Sequence, residues 1–199
     1  MTIADIFNVD KQLVFYGAYH SNKINVLIHV ICVPLIVWSF QALVAPLGQV
    51  PFLPAYHHVF SEWLVFDTNY ASLMTAVYLA YYLLLEPTAA LLYAPQMVLT
   101  SLTATAFAQR PDYLTTAIAI HAFSWIAQFI GHGFAEGRAP ALLDNLLGAV
   151  VLAPFFVHLE ILFTLGYRPD MHKRIINGIG KEVTRIRKAE GDKKRQKAQ

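Results

Sequence analysis

From residue 24 to residue 45 the chain carries no charged side chain. That run exceeds the roughly 20 apolar residues needed to cross about 30 Å of hydrocarbon. It is followed by apolar runs at 70–85, 88–108 and 113–131, and by one at 146–165 that includes His158 and Glu160. Runs of this number leave too little polar surface to cover a soluble globule. Hydrophobic residues make up 56% of the chain and charged residues 14%, with a mean hydropathy of +0.45. Typical soluble domains have about 45–50% apolar and about 25% charged residues. The pattern predicts an all-α fold, an integral membrane helical bundle of four to five transmembrane or re-entrant helices. The count turns on Glu86-Pro87, which either kinks one long helix or separates two shorter ones.

The charges divide the chain further. Ten of its fifteen Lys and Arg lie between Lys173 and Lys197, against Glu182, Glu190 and Asp192. Residues 1–171 hold the other five bases and ten acids, so the body is about −5 and the tail about +7. This predicts a membrane domain over 1–170 and a basic, partly disordered tail over 171–199. A basic cytosolic end suits a membrane protein better than it suits nucleic-acid binding. Residues 46–69, with three prolines, His57-His58 and Trp63, read as an interfacial loop. Cys32 is the single cysteine, which excludes an intramolecular disulfide and any cysteine-based metal site.

Histidines are the conspicuous polar residues. His20, His29, His121, His132 and His158 lie in or beside the apolar runs, where an ionisable side chain is costly and points to function. Imidazole suits iron, zinc, copper and nickel. The short HExxH zinc motif is absent, as are the phosphate loop, the dinucleotide fingerprint and the nucleophile elbow. Spacing constrains any shared site. His121 and His132 return to nearly one face after eleven residues, yet an unbroken helix would separate them by about 16 Å. Gly131 and Gly133 allow a bend there. His20 and His29 face opposite ways on one helix and meet only if the chain turns at Ser21-Asn22, both good N-cap residues. One metal requires both bends, whereas two metals relax the demand. Asn25, Gln128 and Glu136 are candidates for the hydrogen bonds that orient the imidazoles.

Two ordered motifs carry a family resemblance. One is Tyr16-Gly17-Ala18-Tyr19-His20-Ser21-Asn22-Lys23-Ile24-Asn25-Val26-Leu27-Ile28-His29, followed by Val33-Pro34-Leu35. The other is His121-Ala122-Phe123-Ser124-Trp125-Ile126-Ala127-Gln128-Phe129-Ile130-Gly131-His132, with Glu136-Gly137-Arg138 and Pro140-Ala141-Leu142. Together with Pro154-Phe155-Phe156 and Glu160, they resemble the Mpo1-like family over about residues 10–170. The resemblance implies an Fe(2+)-dependent dioxygenase, an oxidoreductase that uses O2 to shorten 2-hydroxy fatty acids by one carbon. That chemistry is fatty acid α-oxidation within phytosphingosine breakdown. It also implies a multi-pass protein of the endoplasmic reticulum membrane, or of the inner membrane in a bacterium. By the same resemblance His20, His29, His121 and His132 hold the iron, with His158 in reserve. Four fixed histidines would leave at most two positions for substrate and O2, so either one of the four is labile or acts indirectly, or the substrate binds through one oxygen. Lys23 and Arg138 are candidates for pairing the substrate carboxylate. The alternative is a non-catalytic membrane scaffold or transporter whose buried histidines serve packing or proton relay.

Overall fold

The computed structural model describes residues 3–137 and 146–197. A short helix α1 (Ile3–Ile6) leads into α2 (Val9–Tyr19), and three residues later α3 (Lys23–Val44) begins. Asn22 caps α3, its side chain accepting from the Ile24 N–H at 2.9 Å, as its position before the apolar run predicts. Pro34 lies inside α3 without ending it. The stretch that reads as a loop contains a small antiparallel hairpin, β1 (His57–Ser61) with β2 (Leu64–Asp67). Every residue of β1 is exposed, so no buried face announces the strand in the sequence.

Glu86 and Pro87 decide the next boundary. α4 (Tyr70–Leu85) stops at Glu86, whose extended backbone also starts α5 (Pro87–Phe107). The Glu86 carboxylate accepts from the Ala89 N–H at 2.6 Å, and Pro87 occupies the first turn, where its missing N–H costs nothing. The result is two helices packed on one another. α6 (Tyr113–Ile130) continues directly into a π-helical segment, Gly131–Glu136, closed by Gly137 in the left-handed region (φ 63°). α7 (Leu146–Thr164) and α8 (Pro169–Lys197) complete the chain.

The core joins α2, α4, α5, α7 and the first turns of α8, with Tyr82, Phe155, Leu13, Met97, Leu152 and Leu159 fully enclosed. Polar residues are inside as well. Gln41 donates to Thr75 Oγ1 at 2.8 Å, Trp38 to Thr103 Oγ1 at 3.1 Å, and Tyr82 to the Val151 carbonyl at 2.7 Å. The outward faces are apolar instead: Ile24, Leu27 and Ile31 on α3, Leu91, Leu92 and Leu99 on α5, Ile118, Phe123 and Ile126 on α6. Polar contacts inside and aliphatic side chains outside are what a hydrocarbon solvent favours. Lys23–Leu47, Pro87–Phe107 and Tyr113–Glu136 are each long and apolar enough to cross a membrane; Tyr70–Leu85 and Val150–Thr164 are shorter apolar helices.

The C-terminal segment differs from its expectation. Residues 169–197 form one helix, and its first half docks along α2, burying Met171 and Ile175. Arg174 pairs with Asp10 at 3.0 Å, and Gly17 and Gly178 let the two helices approach closely beside Ile179 and Val14. A boundary at residue 170 therefore separates two packed elements. A charge-rich sequence with sparse isoleucines reads as solvated, but Met171, Ile175 and Ile179 recur every four residues and form a docking stripe.

Candidate metal centre

His20 sits just past the end of α2, His29 in the second turn of α3, and His132 in the π-helical segment after α6. All three are buried, and one ligand nitrogen from each lies within 4.8 Å of the others. The turn at Ser21-Asn22 brings the first two together, as the spacing requires. The third arrives differently from expectation. The helix does not break at Gly131-His132-Gly133; it widens into the π segment, which changes the direction of His132 while the chain continues.

The tautomers follow from the main chain. His20 Nδ1 lies 2.7 Å from the Tyr16 carbonyl and His29 Nδ1 lies 2.9 Å from the Asn25 carbonyl. A carbonyl only accepts, so each Nδ1 carries the proton and donates it. Both Nε2 atoms then present lone pairs, and these face one another at 3.1 Å. Two lone pairs at that distance repel unless a cation or proton lies between them. His132 Nδ1 is buried with no hydrogen-bond partner among the described residues. Burial first, and then the neighbouring His29, hold the His20 imidazole well below its usual range, keeping it neutral and able to ligate. Tyr16 stacks on the His20 ring with centroids 4.0 Å apart and fixes its plane.

Glu136 secures the turn from behind. Its carboxylate accepts from the Asn22 N–H at 2.7 Å, the Ser21 hydroxyl at 3.0 Å and the Asn25 amide at 3.3 Å, while Asn22 donates to the Ala135 carbonyl at 2.8 Å. Of the three residues expected to orient imidazoles, Glu136 acts through the turn that carries His20, and Asn25 through its own carbonyl on His29. Among the described residues Gln128 makes no hydrogen bond to an imidazole. It lines the adjoining cavity, and its buried Nε2 meets no acceptor among them.

His121 is placed apart from the cluster. Its Nδ1 lies 2.9 Å from Ser39 Oγ, and its Nε2 accepts from the Trp125 indole N–H at 3.0 Å. The Ser39 hydroxyl proton is directed to the Leu35 carbonyl at 2.7 Å, so His121 donates through Nδ1 and has no lone pair to spare. His158 stacks on Tyr93 and points Nε2 at the Ala89 carbonyl, 3.2 Å away. Lys23 is exposed and does not line the cavity. Arg138 lies outside the described residues.

The cavity beside the three histidines has a volume of about 230 Å³. Along α3 it is lined in succession by His29, Val33, Ile36, Val37 and Phe40, a distance of about 16 Å. Its far end holds Phe40, His121 and Trp125, with the Phe40 and His121 rings 6.2 Å apart. Among the described residues no Lys, Arg, Asp or Glu lines it. A polar, nitrogen-rich end and a long apolar body suit an amphiphile with one reactive head.

Residues 6–165 match the family described as 2-hydroxy-palmitic acid dioxygenase Mpo1-like. The chain belongs to the Mpo1-like family. A curated relative, the 2-hydroxy-palmitic acid dioxygenase MPO1 of Saccharomyces cerevisiae, is 34% identical over 167 residues, covering 83% of this chain and 86% of its own. No solved structure matches the chain. The Mpo1-like region contains the three clustered histidines, the Glu136 clamp and every residue of the cavity, and it ends just before α8.

Sequence reasoning passes over several residues that shape this centre. Tyr16 fixes a tautomer and a ring plane, and Ser21 and Asn22 bind Glu136, Asn22 besides capping α3. Trp125, four residues after His121 and so on its face, is the one legible sign that His121 is already engaged.

Proposed function

We propose that the chain is an Fe(2+)-dependent dioxygenase that shortens 2-hydroxy fatty acids by one carbon, with His20, His29 and His132 as the metal ligands. The observation that carries the reading is the pair of opposed Nε2 lone pairs 3.1 Å apart, with His132 beside them at one end of an acyl-sized apolar cavity. Two nitrogen–metal bonds of about 2.1 Å meeting at about 95° would set their nitrogens at the 3.1 Å that separates the two Nε2 atoms. Three imidazoles leave more positions free than four would, which answers the crowding that a fourth histidine ligand creates. Held by His20, His29 and His132, Fe(2+) would supply the redox chemistry needed for O2 to react with a 2-hydroxy acid. The overall change balances as R–CH(OH)–COOH + O2 → R–COOH + CO2 + H2O: the C1–C2 bond breaks, C2 becomes a carboxyl carbon, and O2 takes up four electrons.

The protein's own part is to hold three neutral imidazoles in fixed tautomers, to keep water from the head of the substrate, and to receive the acyl chain among Val33, Ile36, Val37 and Phe40. Three helices long and apolar enough to cross a membrane support a membrane location, where a fatty acid substrate would reside; the endoplasmic reticulum is proposed from the family resemblance. Detergent-purified protein is expected to bind iron and to convert 2-hydroxypalmitate to pentadecanoate under O2. His29→Ala should lose both the iron and the turnover, whereas His121→Ala should keep the iron. Protein with no bound or restorable iron would overturn the proposal and leave a scaffold or transporter in its place.

A further inference from the structure

The cavity needs a group that recognises the substrate head, and the obvious cations do not supply one. Lys23 is exposed and away from the cavity, and no cationic side chain lines it among the described residues. An unmet donor lies in its wall. Gln128 is 7% exposed and lines the cavity, and its Nε2 is buried without an acceptor among the described residues. It lies in the last turn of α6 before the π segment, and both it and His132 line the cavity. A buried amide N–H2 left without a partner is costly in an apolar surround, and the cost is relieved when a ligand brings an acceptor.

We propose that Gln128 is the substrate-binding residue that donates from Nε2 to the carboxylate of the fatty acid. This rests on the proposed substrate class and sharpens it: a neutral amide, in place of a lysine or arginine, reads the acid head. Such a donor fits a membrane site, because an amide needs no counter-charge while the cavity is empty. It also separates an acid from the corresponding alcohol, since hydrogen bonds to a charged acceptor are about twice as strong as those to a neutral one.

The test is a binding measurement that does not depend on turnover. Full-length protein carrying Trp38→Phe and Trp63→Phe retains Trp125 in the cavity wall as its sole indole, and loading with redox-inert Zn2+ prevents reaction. Quenching of Trp125 fluorescence is then titrated with 2-hydroxypalmitate and with hexadecane-1,2-diol, in which a hydroxymethyl group replaces the carboxylate. Gln128→Met should weaken binding of the acid by about 10- to 100-fold and that of the diol by less than about 3-fold, with metal content unchanged. Gln128→Glu, which preserves shape, should reject the acid by charge repulsion and keep the diol, so the inference stays testable if the methionine variant misfolds. Unchanged acid binding in either variant, or equal loss for both ligands, would overturn the role of Gln128. Parent protein that binds neither ligand would overturn the substrate class, and this inference with it.

Discussion

Gly131 and Gly133 flank His132 symmetrically in the sequence, yet their surroundings differ. A Cβ on Gly131 would stand 2.6 Å from Asn25 Oδ1, in a place where Asn25 is wholly buried and tied to Glu136. A Cβ on Gly133 would meet nothing within 4 Å. Gly131→Ala should therefore push Asn25 off the Glu136 clamp, costing about 1–3 kcal/mol by overpacking and lowering metal retention. Gly133→Ala should stay within about 0.5 kcal/mol of the parent. Thermal unfolding and metal content of the two purified variants check this, and equal effects would refute it. The residue scale also shows where sequence reasoning stops. Spacing puts His121 and His132 on one face and cannot separate them. What separates them is Ser39, a partner on another helix, whose position depends on how α3 packs on α6.

At the scale of elements, the apolar runs gave the helices α3 to α7 nearly to their ends, because a long uncharged run has few other structures open to it. The break at Glu86-Pro87 was visible, and its outcome was not, since one proline serves equally to kink a helix or to start one. The π segment leaves no mark on composition: one extra residue in a turn changes which way His132 faces and nothing a hydropathy pattern records. α8 makes the same point and yields a prediction. Its stripe of Met171, Ile175 and Ile179 holds α2, and α2 ends at His20. Met171→Ala with Ile175→Ala should destabilise the fold, each by about 2–5 kcal/mol, and weaken metal binding through α2. Truncation after Lys188 removes a mostly charged and polar sequence beyond the docking stripe and should change neither. Melting temperature and metal affinity of the two forms decide it; a truncation as damaging as the double variant would show that the whole helix is needed.

For the whole molecule, the arrangement of polar and apolar surface sets the scale of the substrate. The three histidines gather where α2 ends, α3 begins and α6 gives way to its π segment, so the cavity starts near one end of the bundle and runs about 16 Å along α3. Half of a bilayer's hydrocarbon is roughly 15 Å thick. A fatty acid lying with its head at the histidines would thus extend about one leaflet's depth before meeting Phe40 and Trp125. On the proposed function these two rings, with His121 held between Ser39 and Trp125, would limit the chain at its methyl end. Enlarging that end with Phe40→Ala or Trp125→Ala should move the preferred 2-hydroxy acid to greater length while leaving bound iron intact, because neither residue touches the metal cluster. Competition between 2-hydroxy acids of 14 to 24 carbons, read as relative kcat/KM, measures the shift. A profile identical to that of the parent would mean that the chain leaves the cavity sideways into lipid before it reaches Phe40.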